Sequence, residues 1–145
     1  MAIKLAEERH RRVSEVMSEA VGVIEESATA GEAKTILVDL EVTGAPVVRG
    51  EQVLGVVSRA DLLRADDATP VTEIMSDPVY AVRPNDSLAL AVRLMVKQRI
   101  HRVVVVNEAG ELRGILTALD ALAAVADSLG PTGDIAYASL APPEE

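Results

Sequence analysis

Two short segments, Ser58-x-x-Asp61 and Thr117-x-x-Asp120, pair a hydroxyl with a carboxylate three residues on. Each follows a glycine and two apolar residues, Gly55-Val56-Val57 and Gly114-Ile115-Leu116. At a helix start this pattern makes a capping box: the hydroxyl takes a free first-turn N–H and the acid reaches back to the N-cap. The same place also suits a ligand. The unpaired N–H groups and the partial positive charge favour phosphate, and two carboxylate oxygens match two ribose hydroxyls. Both uses stay open, and one does not exclude the other. A second candidate pair, His101-Arg102, precedes the apolar run Val103–Val106. Guanidinium and imidazole donors suit phosphate oxygens, although a solvated pair at a helix-to-strand junction would look the same. Tyr80 offers a ring that can stack on a purine or simply lie on a strand surface.

These segments belong to a pattern that the chain uses twice. Val13-Ser14-Glu15-Val16-Met17-Ser18 returns as Val71-Thr72-Glu73-Ile74-Met75-Ser76. Gly55 to Leu62 returns as Gly114 to Ala121, at an interval longer by a single position. The extra residue falls between Val48 and Gly55, where Arg49-Gly50-Glu51-Gln52 is matched by the longer Asn107-Glu108-Ala109-Gly110-Glu111. Both stretches read as hairpin turns, where one residue is easily absorbed. Two copies of one supersecondary unit, related by a pseudo-twofold axis, should pack on each other and leave clefts between them.

The elements that must position these groups follow from periodicity. In the first copy Val21–Ile24 is extended, and Ala30, Ala33, Ile36, Leu37 and Leu40 then mark one helix face. Gly44 reads as the stop of that helix. Strands follow at Ala45–Val48 and Val53–Val57, and Ser58 opens a short helix. The second copy repeats the order: Val79–Val82, a helix with Leu88, Ala91, Val92, Met95 and Val96, then strands Arg102–Val106 and Leu112–Leu116. Thr117 opens the last helix, to about Leu129. The spacing predicts an α+β fold of two βαββα units at 13–64 and 71–129. A linker is expected at 65–70, a short helix over 1–12 and a mobile tail over 130–145. Consecutive apolar positions in Val103–Val106 predict a strand covered on both faces, so the two small sheets should face each other.

Composition excludes several kinds of chemistry. The 145 residues hold no Cys, which removes disulfides, thiolate metal sites and cysteine nucleophiles. His10 and His101 are the two histidines and lie in different elements, against an imidazole metal site. No Walker-type segment and no nucleophile with an oriented base occur, so neither an enzyme nor a required cofactor is predicted. A net charge of −9 argues against binding nucleic acid through phosphate neutralisation. The start carries no apolar signal-peptide core, and no apolar run approaches the roughly 18 residues of a span. The expectation is a soluble cytoplasmic protein with no membrane role. With no Phe or Trp, and Tyr80 and Tyr137 as the aromatic residues, the core must be aliphatic.

The doubled Val-x-x-Val-Met-Ser start and Gly-Val-Val-Ser-x-x-Asp end resemble a tandem pair of cystathionine-β-synthase (CBS) domains, a Bateman module. The resemblance covers about residues 13–125 and is read as a stand-alone pair. It implies an adenosine-containing regulatory ligand, AMP, ADP, ATP or S-adenosylmethionine, held in a cleft between the copies. It also implies a homodimer and an unidentified protein effector. The family's Ser/Thr-x-x-Asp contacts carry over to Ser58, Asp61, Thr117 and Asp120. Ile100-His101-Arg102 resembles a segment of the γ subunit of AMP-activated kinase whose His and Arg lie near phosphates. The base would sit against Val21 and Gly22 in one copy and against Val79, Tyr80 and Ala81 in the other. Because Thr43-Gly44 replace His-Arg in the first copy, the Thr117/Asp120 cleft is expected to be the better phosphate site. Arg59 could compensate in the first, its direction being left open by the sequence. A ligand-free dimerisation or docking scaffold is the alternative.

Overall fold

The computed structural model describes residues 11–76 and 79–130. The helix expected over 1–12 and the tail expected over 130–145 lie, but for Arg11, Arg12 and Gly130, outside the described residues.

Each copy forms the expected strand–helix–strand–strand–helix unit. In the first these are β1 (Ile24–Glu25), α1 (Ala30–Leu40), β2 (Gly44–Arg49), β3 (Gln52–Ser58) and α2 (Arg59–Leu63). In the second they are β4 (Ala81–Val82), α3 (Leu88–Gln98), β5 (Arg102–Val106), β6 (Leu112–Thr117) and α4 (Ala118–Ala126), with a 3-10 turn at Asp127–Leu129. The sheets run β1-β2-β3 and β4-β5-β6. In both, the short first strand pairs parallel with the middle strand, and the hairpin partners pair antiparallel. The leading strands are shorter than predicted and begin later, because parallel pairing reaches only Ile24↔Val47, Glu25↔Val48, Ala81↔Val104 and Val82↔Val105.

Local signals set the helices. Thr29 caps α1 by accepting the Glu32 N–H at 3.3 Å, and Ser87 caps α3 through Leu90 at 3.1 Å. The buried faces, Ala30/Ala33/Leu37 and Leu88/Ala91/Met95, follow the three-and-four spacing of an amphipathic helix. One stop signal is corrected. Both long helices end in a left-handed residue, but it is Glu41 (φ 56) in α1 and Arg99 (φ 55) in α3. Gly44 lies further on and opens β2, so its missing side chain must serve another purpose.

The middle strands are covered on both faces, as predicted. Ala45 and Val47 pack into an aliphatic core with Ile24, Ala33, Leu37 and Leu62. Val103 and Val105 do the same with Val82, Ala91, Met95 and Leu116. The alternate residues Pro46, Val48 and Val104 are equally buried but belong to neither cluster; strand alternation turns them to the opposite face, toward the sister sheet. The hairpin ends also meet: Leu112 N–H donates to Glu51 O at 2.8 Å and Val53 N–H to Gly110 O at 3.2 Å.

The cores are completed by exchange. Val71, Ile74 and Met75 open the second copy in sequence, yet they pack in the first core. Val13, Val16 and Met17 open the first copy and pack in the second. Backbone bonds fix the exchange: Leu88 N–H to Arg11 O at 2.7 Å, and Val71 N–H to Ala28 O at 2.9 Å. Ser18 and Ile115 exchange two bonds at 2.9 Å, and Ser76 N–H reaches Val56 O at 2.8 Å. Two glycines of the repeated motif admit these segments. A Cβ on Gly55 would lie 2.6 Å from Met75 Sδ, and one on Gly114 would lie 2.7 Å from Ser18 O. The residues read as a linker are part of this seam, with Thr29 bridging Pro70 and Lys34 Nζ on Asp67 Oδ1 at 2.7 Å.

Because Ser18 O belongs to backbone that Ile115 holds by bonds at both its N–H and its carbonyl, it cannot retreat as a side chain would. Gly114→Ala is therefore expected to destabilise the protein by about 1–3 kcal/mol, the range for overpacking a close contact. The shift of the urea midpoint relative to Arg113→Ala, at a neighbouring exposed position, measures it.

Candidate ligand-binding site

The ends of β3 and β6 do what their Ser/Thr-x-x-Asp sequences imply locally. Asp61 N–H donates to Ser58 Oγ at 3.1 Å, and Ser58 N–H donates to Asp61 Oδ2 at 3.2 Å. The second copy matches, with Asp120 N–H to Thr117 Oγ1 at 3.0 Å and Thr117 N–H to Asp120 Oδ2 at 3.1 Å. Another first-turn donor is spent in each helix: Arg59 N–H on Thr43 O and Ala118 N–H on His101 O, both at 2.8 Å. The caps thus consume much of the helix-end capacity for an anion. They leave the Ser58 and Thr117 hydroxyl protons and the Oδ1 atoms of both aspartates without a partner among the described residues.

Between the repeats lies a cavity of about 620 Å³, a size that suits a nucleotide-sized ligand. Ser58 and Asp61 line it from the first copy; Val79, Tyr80, His101 and Arg102 line it from the second. Six of the nine predicted site residues are therefore together. Thr117, Asp120 and Ala81 do not line it. The expectation that His101 and Arg102 would serve the Thr117/Asp120 cleft is corrected, because they stand in the cavity of Ser58 and Asp61. The backbone of His101 belongs to the second copy, where its carbonyl caps α4, while the residue lines a cavity that both copies share.

The cause is the meeting of the two helix-to-strand junctions. Arg102 leads into β5 and reaches over to the start of β2, where Nη2 donates to Thr43 Oγ1. A Cβ on Gly44 would lie 2.6 Å from Arg102 Nη1. The same Cβ would lie 3.0 Å from Val57 O, so a side chain at Gly44 would press on backbone as well as on the guanidinium. Partial burial of Arg102 strips solvent from its charge and pushes its pKa down from the usual arginine value. Arginine nonetheless stays protonated, so a desolvated cation faces the cavity.

Sequence reading missed Thr43, Gly44 and Arg99 as lining residues and left the direction of Arg59 open. A signal was present in the repeat itself. Arg59 is matched by Ala118 and Arg99 by Glu41, and positive charge present in only one copy marks a place where the copies have different work.

The sequence profile described as the CBS domain matches this chain twice, over residues 13–68 and 71–127. The chain belongs to the CBS-domain family. This CBS pair is 28% identical to CBSX2 in its complex with AMP, with a TM-score of 0.77 over 83% of this chain and 99% of that one; CBSX2 is from Arabidopsis thaliana. It is 29% identical to the cytosolic domain of the Mg2+ channel MgtE in complex with ATP, with a TM-score of 0.74 over 79% of this chain and 48% of that one. Among curated relatives, the inosine-5'-monophosphate dehydrogenase of Korarchaeum cryptofilum is 29% identical over 119 residues, 81% of this chain and 25% of that enzyme. The CBS pair spans about a quarter or less of the first curated relatives it matches. No described helix is long and apolar enough to cross a membrane.

Both caps are made wholly within the chain and satisfy first-turn donors, so they contribute to folding in their own right. Ser58→Ala and Thr117→Ala are each expected to cost about 0.5–2 kcal/mol of stability. Chemical denaturation of the ligand-free protein measures both losses, which should be similar because the two capping boxes are alike.

Proposed function

We propose that this CBS pair is a non-catalytic regulatory module that binds an adenosine-containing ligand in the cavity shared by Ser58, Asp61, Val79, Tyr80, His101 and Arg102. The observation that carries the reading is the convergence in one cavity of an acceptor for ribose, cations for phosphate and an apolar wall for the base. Asp61 Oδ1 receives the ribose hydroxyls, and the Ser58 hydroxyl donates its remaining proton. Arg102 and His101 hold phosphate, and Val79 and Tyr80 lie against the base. Thr117 and Asp120 act as the cap of α4 in the second repeat. The AMP in CBSX2 and the ATP in MgtE support the ligand class. No further cofactor is required.

A ligand in this cavity touches both repeats and so biases their relative arrangement, by no more than its difference in affinity for the two arrangements. The repeats are assigned to 13–64 and 71–129, joined at 65–70, and the module works in the cytoplasm on a partner protein. Two chains pair through helix faces carrying Val38, Leu63, Val96, Leu119 and Leu122, each more than half exposed. Large apolar side chains left this exposed on several helices fit an interaction face. The same faces favour a second reading, a dimeric scaffold that holds no ligand.

Calorimetric titration with AMP, ATP and S-adenosylmethionine, alongside thermal unfolding, separates the two. The wild type should bind at least one of them and melt at a higher temperature when it does. Asp61→Ala should weaken binding at least tenfold beyond the loss of its cap, and Asp120→Ala should lose the cap alone. No heat and no shift in melting with any of the three would leave the scaffold.

A further inference from the structure

The cavity gathers more positive charge than a single phosphate group would use. Arg59, Arg99, His101 and Arg102 line it with one carboxylate, Asp61, among the described residues. The arginines approach from three elements: Arg59 opens α2, Arg99 ends α3 and Arg102 begins β5. Among the described residues none of the three is ion-paired; the four bridges there use Lys34, Arg49, Arg83 and Arg113. In a chain of net charge −9, three unpaired arginines on one cavity call for a cause.

The internal repeat supplies the control. Arg59 is matched in the second copy by Ala118, and Arg99, His101 and Arg102 are matched in the first by Glu41, Thr43 and Gly44. Every cationic or protonatable residue of the set has a neutral or acidic counterpart. The backbone is the same at both places, since Glu41 ends α1 at φ 56 as Arg99 ends α3 at φ 55. A basic residue beside a helix C-terminus is favourable for the helix, but a glutamate in the same position shows that the fold does not need one. What distinguishes Arg99 from Glu41 is the cavity that Arg99 lines.

We propose, building on the adenosine reading above, that this cavity selects nucleotides with two or three phosphates, and that each chain holds one such ligand. Guanidinium forks from three elements match a chain of phosphates spread across the cavity, each added group gaining charge-assisted hydrogen bonds. S-adenosylmethionine carries a sulfonium and a net positive charge, so the same arginines repel it. The equivalent positions of the sister repeat, Glu41, Thr43, Gly44 and Ala118, carry no cation, so they offer no second polyphosphate site.

Titration calorimetry of the full chain with ATP, ADP, AMP and S-adenosylmethionine tests this, with Arg59→Ala and Arg99→Glu as variants. Both substitutions import what the sister repeat already carries at the equivalent place, so the fold tolerates them. ATP should bind about tenfold or more tighter than AMP, as one gained charge-assisted contact implies. S-adenosylmethionine should bind weakest, and the stoichiometry should be one ATP per chain. In the double variant the ATP-to-AMP ratio should fall below about threefold. AMP or S-adenosylmethionine binding as tightly as ATP, or two ATP sites per chain, would overturn the inference while an Asp61-dependent adenosine site still stood. Absence of binding by all four compounds would overturn the adenosine reading and this inference with it.

Discussion

Reciprocal exchange of the leading segments is the constraint on which the rest of this molecule depends. Each repeat alone is too small to close an aliphatic core without aromatic residues. Val71, Ile74 and Met75 close the first core, and Val13, Val16 and Met17 close the second. The crossing segments need to lie against β3 and β6 at backbone distance, which Gly55 and Gly114 allow. With both ends of the duplication tied this way, the two sheets are held against each other and the helix-to-strand junctions are brought to the pseudo-twofold axis.

That meeting at the axis is where near-symmetry becomes functional asymmetry. Two chemically different side chains compete for the same central space, and the chain resolves it with one large residue and one absent one, Arg102 over Gly44. The guanidinium then belongs to the second repeat by sequence and, by position, to a cavity it shares with Ser58 and Asp61 of the first. Capping boxes of equal geometry end up in unequal surroundings, so the surroundings decide which of them meets a ligand.

Much of this was legible from residue patterns. The register of the duplication located the helices and strands of both units, the three-and-four spacing of Ala30, Ala33 and Leu37 named the buried face, and Ser/Thr-x-x-Asp named both caps. The consecutive valines of β5 announced a strand covered on both sides. What stayed hidden depends on long-range geometry. Gly44 looked like a helix stop because glycine often is one, and its close approach to Val57 O and to Arg102 of the opposite repeat is visible only in the fold. The assignment of His101 and Arg102 to the wrong cleft has the same origin: a residue's repeat is written in the sequence, but the cavity it faces is set by how the repeats cross. Glu41 and Arg99 occupy the left-handed position that glycine usually marks, so periodicity alone could not place the ends of α1 and α3.

The exchange also governs how the chain can be made. A nascent polypeptide that has emerged through Leu63 contains α1, the first sheet and α2, but not Val71 or Met75, which close that core. The first repeat therefore waits, with apolar surface open, until the opening of the second has left the ribosome. The second repeat has the reverse situation: its closing segment, Val13 to Met17, is synthesised first and is already tethered nearby when β6 appears. Closure of the first core is thus delayed until the opening of the second repeat has emerged, and the second core closes last, on the segment made first.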